Sequence, residues 1–305
     1  MTTALSLDGV SKRYGDFHAV RDVSFSVPQG RICGFLGPNG AGKTSTIRMA
    51  LGLIAPSEGR ISVLGSDDAR KVRDRIGFLP EERGLYKRMT PVDAIAFFAG
   101  LKGIGDGEAR KRARVMLEGQ GLGPFMNKPI QALSKGMAQK VQLLSALAHE
   151  PDLVVLDEPF SGLDPVNQQA LEGMIRGIAE RGATVLFSTH VMQHAERLCD
   201  RVVLMARGRK VFDGDVAEAR RAAPRALVLE GDLTATEVAA LPGIAAVATE
   251  PLPDGGLRHV ATLAPGADGQ AALKAAFAGD LALKRFEARE PSLHDAFIVL
   301  TGGQA

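Results

Sequence analysis

The chain has 305 residues, and its 37 basic and 35 acidic side chains leave a formal net charge of +2. This near-neutral balance argues against a broad positive surface of the kind that binds nucleic acid or anionic lipid. Hydrophobic residues at 45% and charged residues at 24% exclude extensive disorder and are typical of a globular protein with a large core.

Residues 1 to about 222 are predicted to form strands that alternate with helices. Residues 5–28 alternate apolar and polar side chains around a turn at Gly15, which predicts an antiparallel hairpin at a sheet edge. Near-continuous apolar runs predict strands buried on both faces of a parallel sheet, at 31–36, 153–156 and 184–188. Helical patterns that begin with capping or proline signals lie at 92–101, 137–149 and 166–181. Together these elements predict an α/β fold.

The sharpest local signal is a G-x-x-x-x-G-K-[ST] pattern, formed by Gly37-Pro38-Asn39-Gly40-Ala41-Gly42-Lys43-Thr44. It lies between the predicted strand 31–36 and a predicted helix at 44–53. Glycine-rich backbone can surround a phosphate chain with N–H groups, and the helix N-terminus adds a positive dipole end. Lys43 can reach the β- and γ-phosphates, while the Thr44 hydroxyl can bind Mg²⁺. We predict a nucleoside triphosphate site here and include the next residue, Ser45, in it.

An acidic pair, Asp157 and Glu158, directly follows the predicted strand 153–156. Alone, such a pair is more often a solvated strand end, but open α/β sheets bind ligands at the carboxyl ends of their strands. Adjacent carboxylates repel each other unless a cation lies between them. We therefore assign Asp157 to Mg²⁺ binding, commonly through water, and Glu158 to the base that activates the attacking water.

A third segment is Leu133-Ser134-Lys135-Gly136-Met137. Ser134 is a favourable helix N-cap, and Gly136 allows a ligand to approach the backbone closely. The segment therefore suits an anion at a second helix N-terminus. An ordinary capped helix is the alternative, and the pentapeptide alone does not decide between the two.

The sequence changes character after Pro224, where alanine and leucine become dominant. The predicted order is strand, helix, strand, strand, helix, strand and final helix, at 226–230, 234–241, 244–249, 257–263, 269–278, 281–288 and 291–300. A β-α-β-β-α-β order is that of the ferredoxin-like split unit. We predict a small α+β domain at 225–305 after a larger domain at 1–222.

Cysteine content and hydropathy indicate in which cellular compartment the protein is expected. Cys33 and Cys199 are too few for a disulfide framework, and we expect both to be buried as small hydrophobic side chains. No stretch reaches the roughly 18 uncharged apolar residues that a membrane-spanning helix needs. Residues 1–15 also have no apolar core of the signal-peptide kind. We expect a cytoplasmic location.

Five motifs together resemble the ATP-binding subunits of ABC transporters. After the phosphate loop and the segment 134–137 come the acidic pair, then Ser161-Gly162-Leu163-Asp164, then Thr189-His190. The resemblance covers residues 1 to about 222. It implies a P-loop NTPase domain with an antiparallel β edge and a mostly helical insert at about 84–133.

The resemblance also implies roles for individual residues. Tyr14 falls where the family stacks an aromatic ring on adenine, with a core aromatic of the hairpin as the alternative. Residues 134–137 match the signature motif, which meets the γ-phosphate of ATP held by the opposite subunit, and Asp164 matches the loop that crosses that interface. His190 matches the histidine that contacts the γ-phosphate and orients the attacking water. The remaining histidines are interpreted as ordinary residues: His18, His149, His194, His259 and His294.

One position departs from the family pattern. The family usually has a glutamine that reaches Mg²⁺ after the strand preceding the helical insert, whereas here Pro80 is followed by Glu81 and Glu82. Alignment on Pro80 places Glu81 at that position. A carboxylate can bind Mg²⁺, which is a hard cation, so we predict Glu81 as a metal ligand beside Thr44 and Asp157. The alternative register makes Glu82 the ligand.

The resemblance implies a Mg²⁺-dependent ATPase that forms a head-to-tail homodimer around two ATP molecules. It would drive a separately encoded permease and lie peripherally on the inner face of the cell membrane, with no nucleic-acid partner. The run 80–86, the signature lysine and the stretch 290–297 resemble an ABC-2 exporter subgroup that includes sodium-efflux-like proteins and carries a C-terminal accessory domain. Export is therefore expected. The alternatives are a soluble ABC-type ATPase acting on ribosomes or DNA, and a nucleotide-binding regulatory subunit with little hydrolysis.

Overall fold

The structure, a computed structural model, describes residues 2–82, 84–253, 255–279 and 281–303. The chain divides into two compact units, the first ending at Val216 and the second beginning at Ala217. Across the described residues, every helix is too short or too polar to cross a membrane.

The first unit combines strands and helices in alternation. In chain order they are β1 (Thr3–Tyr14), β2 (Phe17–Pro28), β3 (Ile32–Leu36), α1 (Lys43–Ala50), β4 (Glu58–Val63), β5 (Ile76–Leu79), α2 (Pro91–Gly100), α3 (Asp106–Gly119), α4 (Lys135–Leu147), β6 (Leu153–Asp157), α5 (Pro165–Glu180), β7 (Thr184–Thr189), α6 (Met192–Leu198), β8 (Arg201–Ala206) and β9 (Arg209–Asp215). Short 3₁₀ turns lie at Ala69–Arg75, Gly123–Phe125 and Ile130–Ala132.

A six-stranded sheet in the order β5-β6-β7-β3-β8-β9 forms the centre of this unit. The first five strands in this order, β5, β6, β7, β3 and β8, are parallel to one another, and β9 is antiparallel to β8. Every residue of β3, β6 and β7 is buried, as their apolar runs predict. Because the strands are parallel, the residues after β3, β6 and β7 emerge at one edge of the sheet. The predicted parallel sheet is confirmed.

A second sheet, in the order β2-β1-β4, is antiparallel and confirms the predicted hairpin. The Phe25 ring of β2 stacks on Phe35 of β3, with centroids 5.4 Å apart, within a core that both sheets share. The sequence does not predict β4 or β9. Both are edge strands with few buried residues, so no apolar pattern marks them.

Between β5 and α4 the chain is mainly helical. The α2 helix begins at Pro91, and the Thr90 hydroxyl caps it by accepting a hydrogen bond of 3.2 Å from the Asp93 amide. Arg110 of α3 pairs with Asp93 of α2 at 2.7 Å and with Asp106 at 3.1 Å. The contact with Asp93 joins the two helices, whereas the contact with Asp106 lies within α3.

The second unit is a four-stranded antiparallel sheet with helices. Its elements are α7 (Val216–Arg221), β10 (Ala226–Asp232), α8 (Ala235–Ala239), β11 (Ile244–Pro251), β12 (Leu257–Leu263), α9 (Gly269–Ala278), β13 (Ala282–Arg289) and α10 (Leu293–Leu300). The strand order is β11-β12-β10-β13, with all neighbours antiparallel. Leu227 and Leu229 of β10 pack with Val238 and Ala272 in its core. This is the predicted ferredoxin-like arrangement.

The thiol of Cys33 is expected to be chemically inert in the folded protein. Burial raises the pKa of Cys33 to about 12, and burial also raises the pKa of Cys199 well above its ordinary value. Cys33 is buried as expected, whereas Cys199 is only partly buried. A thiol must lose its proton to react. Iodoacetamide at pH 8 should therefore leave Cys33 unmodified until guanidinium unfolds the chain, as measured by mass spectrometry. Rapid labelling of Cys33 in the native protein would contradict this burial.

Candidate active site

The phosphate loop joins β3 to α1 in the way that the sequence predicts. The Gly37 amide donates to the carbonyl of Thr189 at 3.3 Å, which ties the loop to the end of β7. Gly42 has a φ of 98°, and a Cβ there would lie 2.6 Å from the Ala19 carbonyl oxygen, so only glycine fits. No side chain caps the start of α1. Its first N–H groups are therefore available to an anion.

Lys43 is the buried cation of this loop. Its ammonium donates to the carbonyls of Gly37 at 2.7 Å and Pro38 at 3.1 Å. It also lies 3.5 Å from Oε1 of Glu158, and both side chains are buried. The lysine therefore stands between the phosphate loop and the acidic pair that follows β6.

Three side-chain oxygens converge at the end of β6. Oδ1 of the buried Asp157 accepts a hydrogen bond from the Ser188 hydroxyl at 2.5 Å, and the Thr44 hydroxyl lies 3.5 Å from the same atom. Oxygens of this kind are the ligands that Mg²⁺ prefers. Thr44 and Asp157 are thus brought together as predicted, and their donor set fits a magnesium ion.

Glu158 is held in an unusual backbone conformation. Its φ of 47° lies in the left-handed region, which non-glycine residues rarely adopt. The Glu158 amide donates to Ser188, to the hydroxyl at 3.0 Å and to the carbonyl at 3.2 Å. Within the described part of the chain, Oε1 of Glu158 is a buried atom without a hydrogen-bond partner. The Lys43 ammonium lies 3.5 Å from this oxygen, which is an ion-pair distance, and a positioned carboxylate is what a general base requires.

His190 faces the same carboxylate. Its Nδ1 lies 3.1 Å from Oε2 of Glu158, and its side chain is 47% exposed. The ring therefore contacts the buried acid with one edge and extends from the sheet toward solvent. Two predicted site residues that are far apart in the sequence meet here.

The N-terminus of α4 packs against the segment that follows Glu158. Ser134 caps the helix by accepting a bond from the Met137 amide at 3.2 Å. A Cβ at Gly136 would overlap the side chain of Asn167, and a Cβ at Gly162 would overlap the Lys135 ammonium. Among the hydrogen bonds and ion pairs of the described residues, none joins residues 134–137 to the phosphate loop.

Asp164 begins α5. Its carboxylate accepts bonds from the Asn167 amide at 3.0 Å and from the Asn167 side chain at 2.6 Å. These bonds lower the pKa of Asp164, the backbone bond most. The residue is exposed and serves as a helix cap within its own chain.

Tyr14 and Glu81 both lie at the surface. Tyr14 is 49% exposed, so it is not a core aromatic, and the Lys12 ammonium lies 5.2 Å from the centroid of its ring. Glu81 is exposed just beyond β5, where Leu79 is paired with Leu156 of β6. Glu82, the residue of the alternative register, is exposed as well.

Two residues that the sequence analysis did not assign contribute to this region. Ser188 is hydrogen-bonded to both Asp157 and Glu158. Its place in the site follows from its position opposite Asp157 in the β6–β7 pairing, which the sequence alone does not give. His194 is a buried residue of α6 that contacts Phe160 and Glu172.

Comparisons with known proteins agree with this geometry. A family model described as "ABC transporter" matches residues 20–161. The chain is 38% identical to the uncharacterized ABC transporter ATP-binding protein YhaQ of Bacillus subtilis (strain 168), over 98% of both chains. It is 38% identical to the Nod factor export ATP-binding protein I of Ralstonia nicotianae, over 70% of this chain and 67% of that one. A solved ATP-binding subunit of an ABC transporter superposes with a TM-score of 0.66 at 34% identity, covering 72% of this chain and 92% of the other.

Proposed function

This chain belongs to the ATP-binding proteins of the ABC transporter family, and from that premise we propose a Mg²⁺-dependent ATPase that dimerises on ATP and drives a separate membrane permease. The observation that carries the proposal is the convergence of Lys43, Glu158 and His190 at one sheet edge. Export is the proposed direction because a relative is named for export.

Each residue of the site would have its own role in hydrolysis. Lys43 would contact the β- and γ-phosphates, and Thr44 and Asp157 would hold Mg²⁺, with Glu81 as the proposed further ligand. The magnesium ion would neutralise phosphate charge. The Glu158 carboxylate contacts His190 through Oε2 and the Lys43 ammonium through Oε1, and it would accept a proton from water once the phosphate chain engages Lys43. The water oxygen would then bond to the γ-phosphorus, while the bond between the γ-phosphorus and the β–γ bridging oxygen breaks.

A second copy of the chain would complete the site. Ser134 and Lys135 are exposed and have no bond to their own phosphate loop, and Asp164 is exposed beside them. These features support a head-to-tail dimer in which residues 134–137 of one copy approach the ATP held by the other. Tyr14, exposed at the end of β1, would stack on the adenine.

The helical insert offers a surface for the permease. Tyr86 and Phe97 line one groove with their rings edge to face, 6.1 Å between centroids, and are 61% and 43% exposed. Leu101, which directly follows α2, is also exposed. Exposed apolar clusters of this kind mark protein–protein contacts. We assign this aromatic groove to docking of the permease.

Replacing both aromatics should uncouple the permease without affecting the ATPase. Truncating a central interface aromatic commonly costs about 2 kcal/mol or more, so Tyr86→Ser with Phe97→Ser should reduce co-purification with the permease by more than about tenfold. ATP turnover of the purified protein should stay unchanged, because both residues lie on the insert. Detergent-solubilised membranes and a tagged chain provide the measurement.

The matched control is Phe277→Ser, which removes an exposed phenylalanine from the second unit. Co-purification that survives the double substitution would contradict the docking assignment. Sedimentation of the wild-type chain with ribosomes in place of membranes would instead favour the soluble ATPase alternative. Absence of ATP turnover in the purified dimer would favour a regulatory subunit.

A further inference from the structure

A buried histidine packs directly behind the segment that carries Glu158. His194 of α6 is 2% exposed, and its ring lies flat on Phe160, with centroids 4.0 Å apart and planes inclined by 17°. Phe160 is itself buried and stands two residues after Glu158. A contact this close and parallel couples the position of one ring to that of the other.

Glu172 of α5 fixes the orientation of the histidine. Nδ1 of His194 lies 2.9 Å from Oε1 of Glu172, which is buried and also pairs with Arg197 at 3.3 Å. An ionised carboxylate only accepts hydrogen bonds, so Nδ1 is the atom that donates. The imidazole therefore cannot rotate away from Phe160 without losing a buried hydrogen bond.

Phe160 also contacts the strand that leads to His190. Its ring meets Phe187 of β7 edge to face, with centroids 5.8 Å apart. The turn around it is closed by the Ser161 amide, which donates to the Glu158 carbonyl at 3.1 Å. One aromatic stack thus supports both the turn after Glu158 and the strand before His190.

We propose that His194 is a positioning residue for ATP hydrolysis. Held by Glu172, its ring seats Phe160 and thereby keeps Glu158 directed at His190, across the 3.1 Å contact. The inference rests on the proposed ATPase function and adds a residue that touches no reacting atom. The phosphate loop is carried by β3 and α1, so we expect the effect to fall mainly on hydrolysis and only weakly on ATP binding.

Removing the ring should lower turnover selectively. Misplacing a reacting group by about 1 Å can cost about 100-fold in rate, so His194→Ala should reduce kcat by about 10- to 100-fold. The equilibrium affinity for ATP should stay unchanged. Phosphate release gives kcat and KM, titration with a fluorescent ATP analogue gives the affinity, and thermal denaturation reports whether each variant is folded.

Two further substitutions separate the ring from its hydrogen bond. His194→Phe keeps the aromatic stack, whereas His194→Gln keeps a donor for Glu172, so the phenylalanine variant should retain more of kcat. The matched control is His259→Ala, another fully buried histidine with two hydrogen bonds, located in the second unit. It should lose stability but keep its kcat.

A double-mutant cycle with Glu158→Gln gives the decisive readout. If His194 acts through Glu158, His194→Ala should have little further effect once the base is removed, whereas independent residues give additive losses. Additive losses, or an unchanged kcat in His194→Ala, would overturn the positioning role alone. A wild-type protein that binds ATP without turnover would overturn the ATPase proposal itself, so the two failures are distinguishable.

Discussion

Lys43→Ala is expected to weaken ATP binding by about 100-fold or more. The ammonium is the buried cation of the phosphate loop, and hydrogen bonds to charged groups are worth about 1.5–3 kcal/mol each. The substitution also leaves Glu158 without the cation 3.5 Å from its Oε1. The free energy of unfolding should therefore fall as well, because a buried charge without a partner destabilises the folded state. Isothermal titration with ATP and Mg²⁺ measures the affinity.

Lys102→Ala provides the matched control for Lys43. The Lys102 ammonium also donates to two backbone carbonyls, those of Arg73 and Ile76, but at the other end of the sheet strands. Its loss should affect stability without changing the affinity for ATP. If Lys43→Ala bound ATP as tightly as the wild type while remaining folded, the loop would not be a phosphate site.

Glu158→Gln should separate binding of ATP from its hydrolysis. Removing a general base typically costs about 10² to 10⁴ in rate, whereas glutamine preserves the shape of the side chain. The variant should therefore bind ATP, turn it over slowly and accumulate as a nucleotide-bound dimer. Phosphate release measures the rate, and size-exclusion chromatography with light scattering measures the dimer.

The dimer of this variant should depend on the phosphate loop. Adding Lys43→Ala to Glu158→Gln should return the protein to a monomer in the presence of ATP, because the nucleotide no longer binds. Normal turnover by Glu158→Gln would rule out Glu158 as the base. A variant that binds ATP and stays monomeric would contradict the two-chain site.

Much of this site could be predicted because its signals are local. The phosphate loop is a contiguous pattern between a buried strand and a helix, and Asp157 and Glu158 directly follow an apolar run. The family resemblance built on these motifs is confirmed by 38% identity to a relative along nearly the whole chain. The ferredoxin-like order of strands and helices in the second unit is also predicted correctly, because its strand and helix patterns are local.

The missed residues depend on contacts that no local pattern contains. Ser188 reaches Asp157 only because β6 and β7 pair in a particular register. His194 meets Glu172 and Phe160 because α5 and α6 pack together, and its sequence neighbours look like any helix surface. The left-handed backbone of Glu158 likewise follows from bonds to a neighbouring strand.

The pairing of β6 with β7 also constrains how the molecule can move. Asp157 lies opposite Ser188 in a continuous parallel ladder, and Glu158 and His190 extend from the ends of the same two strands. Neighbouring strands of a buried sheet do not slide past each other without breaking that ladder. The acid and the histidine therefore keep a fixed separation, and under the proposed function any movement driven by ATP would have to occur elsewhere in the assembly.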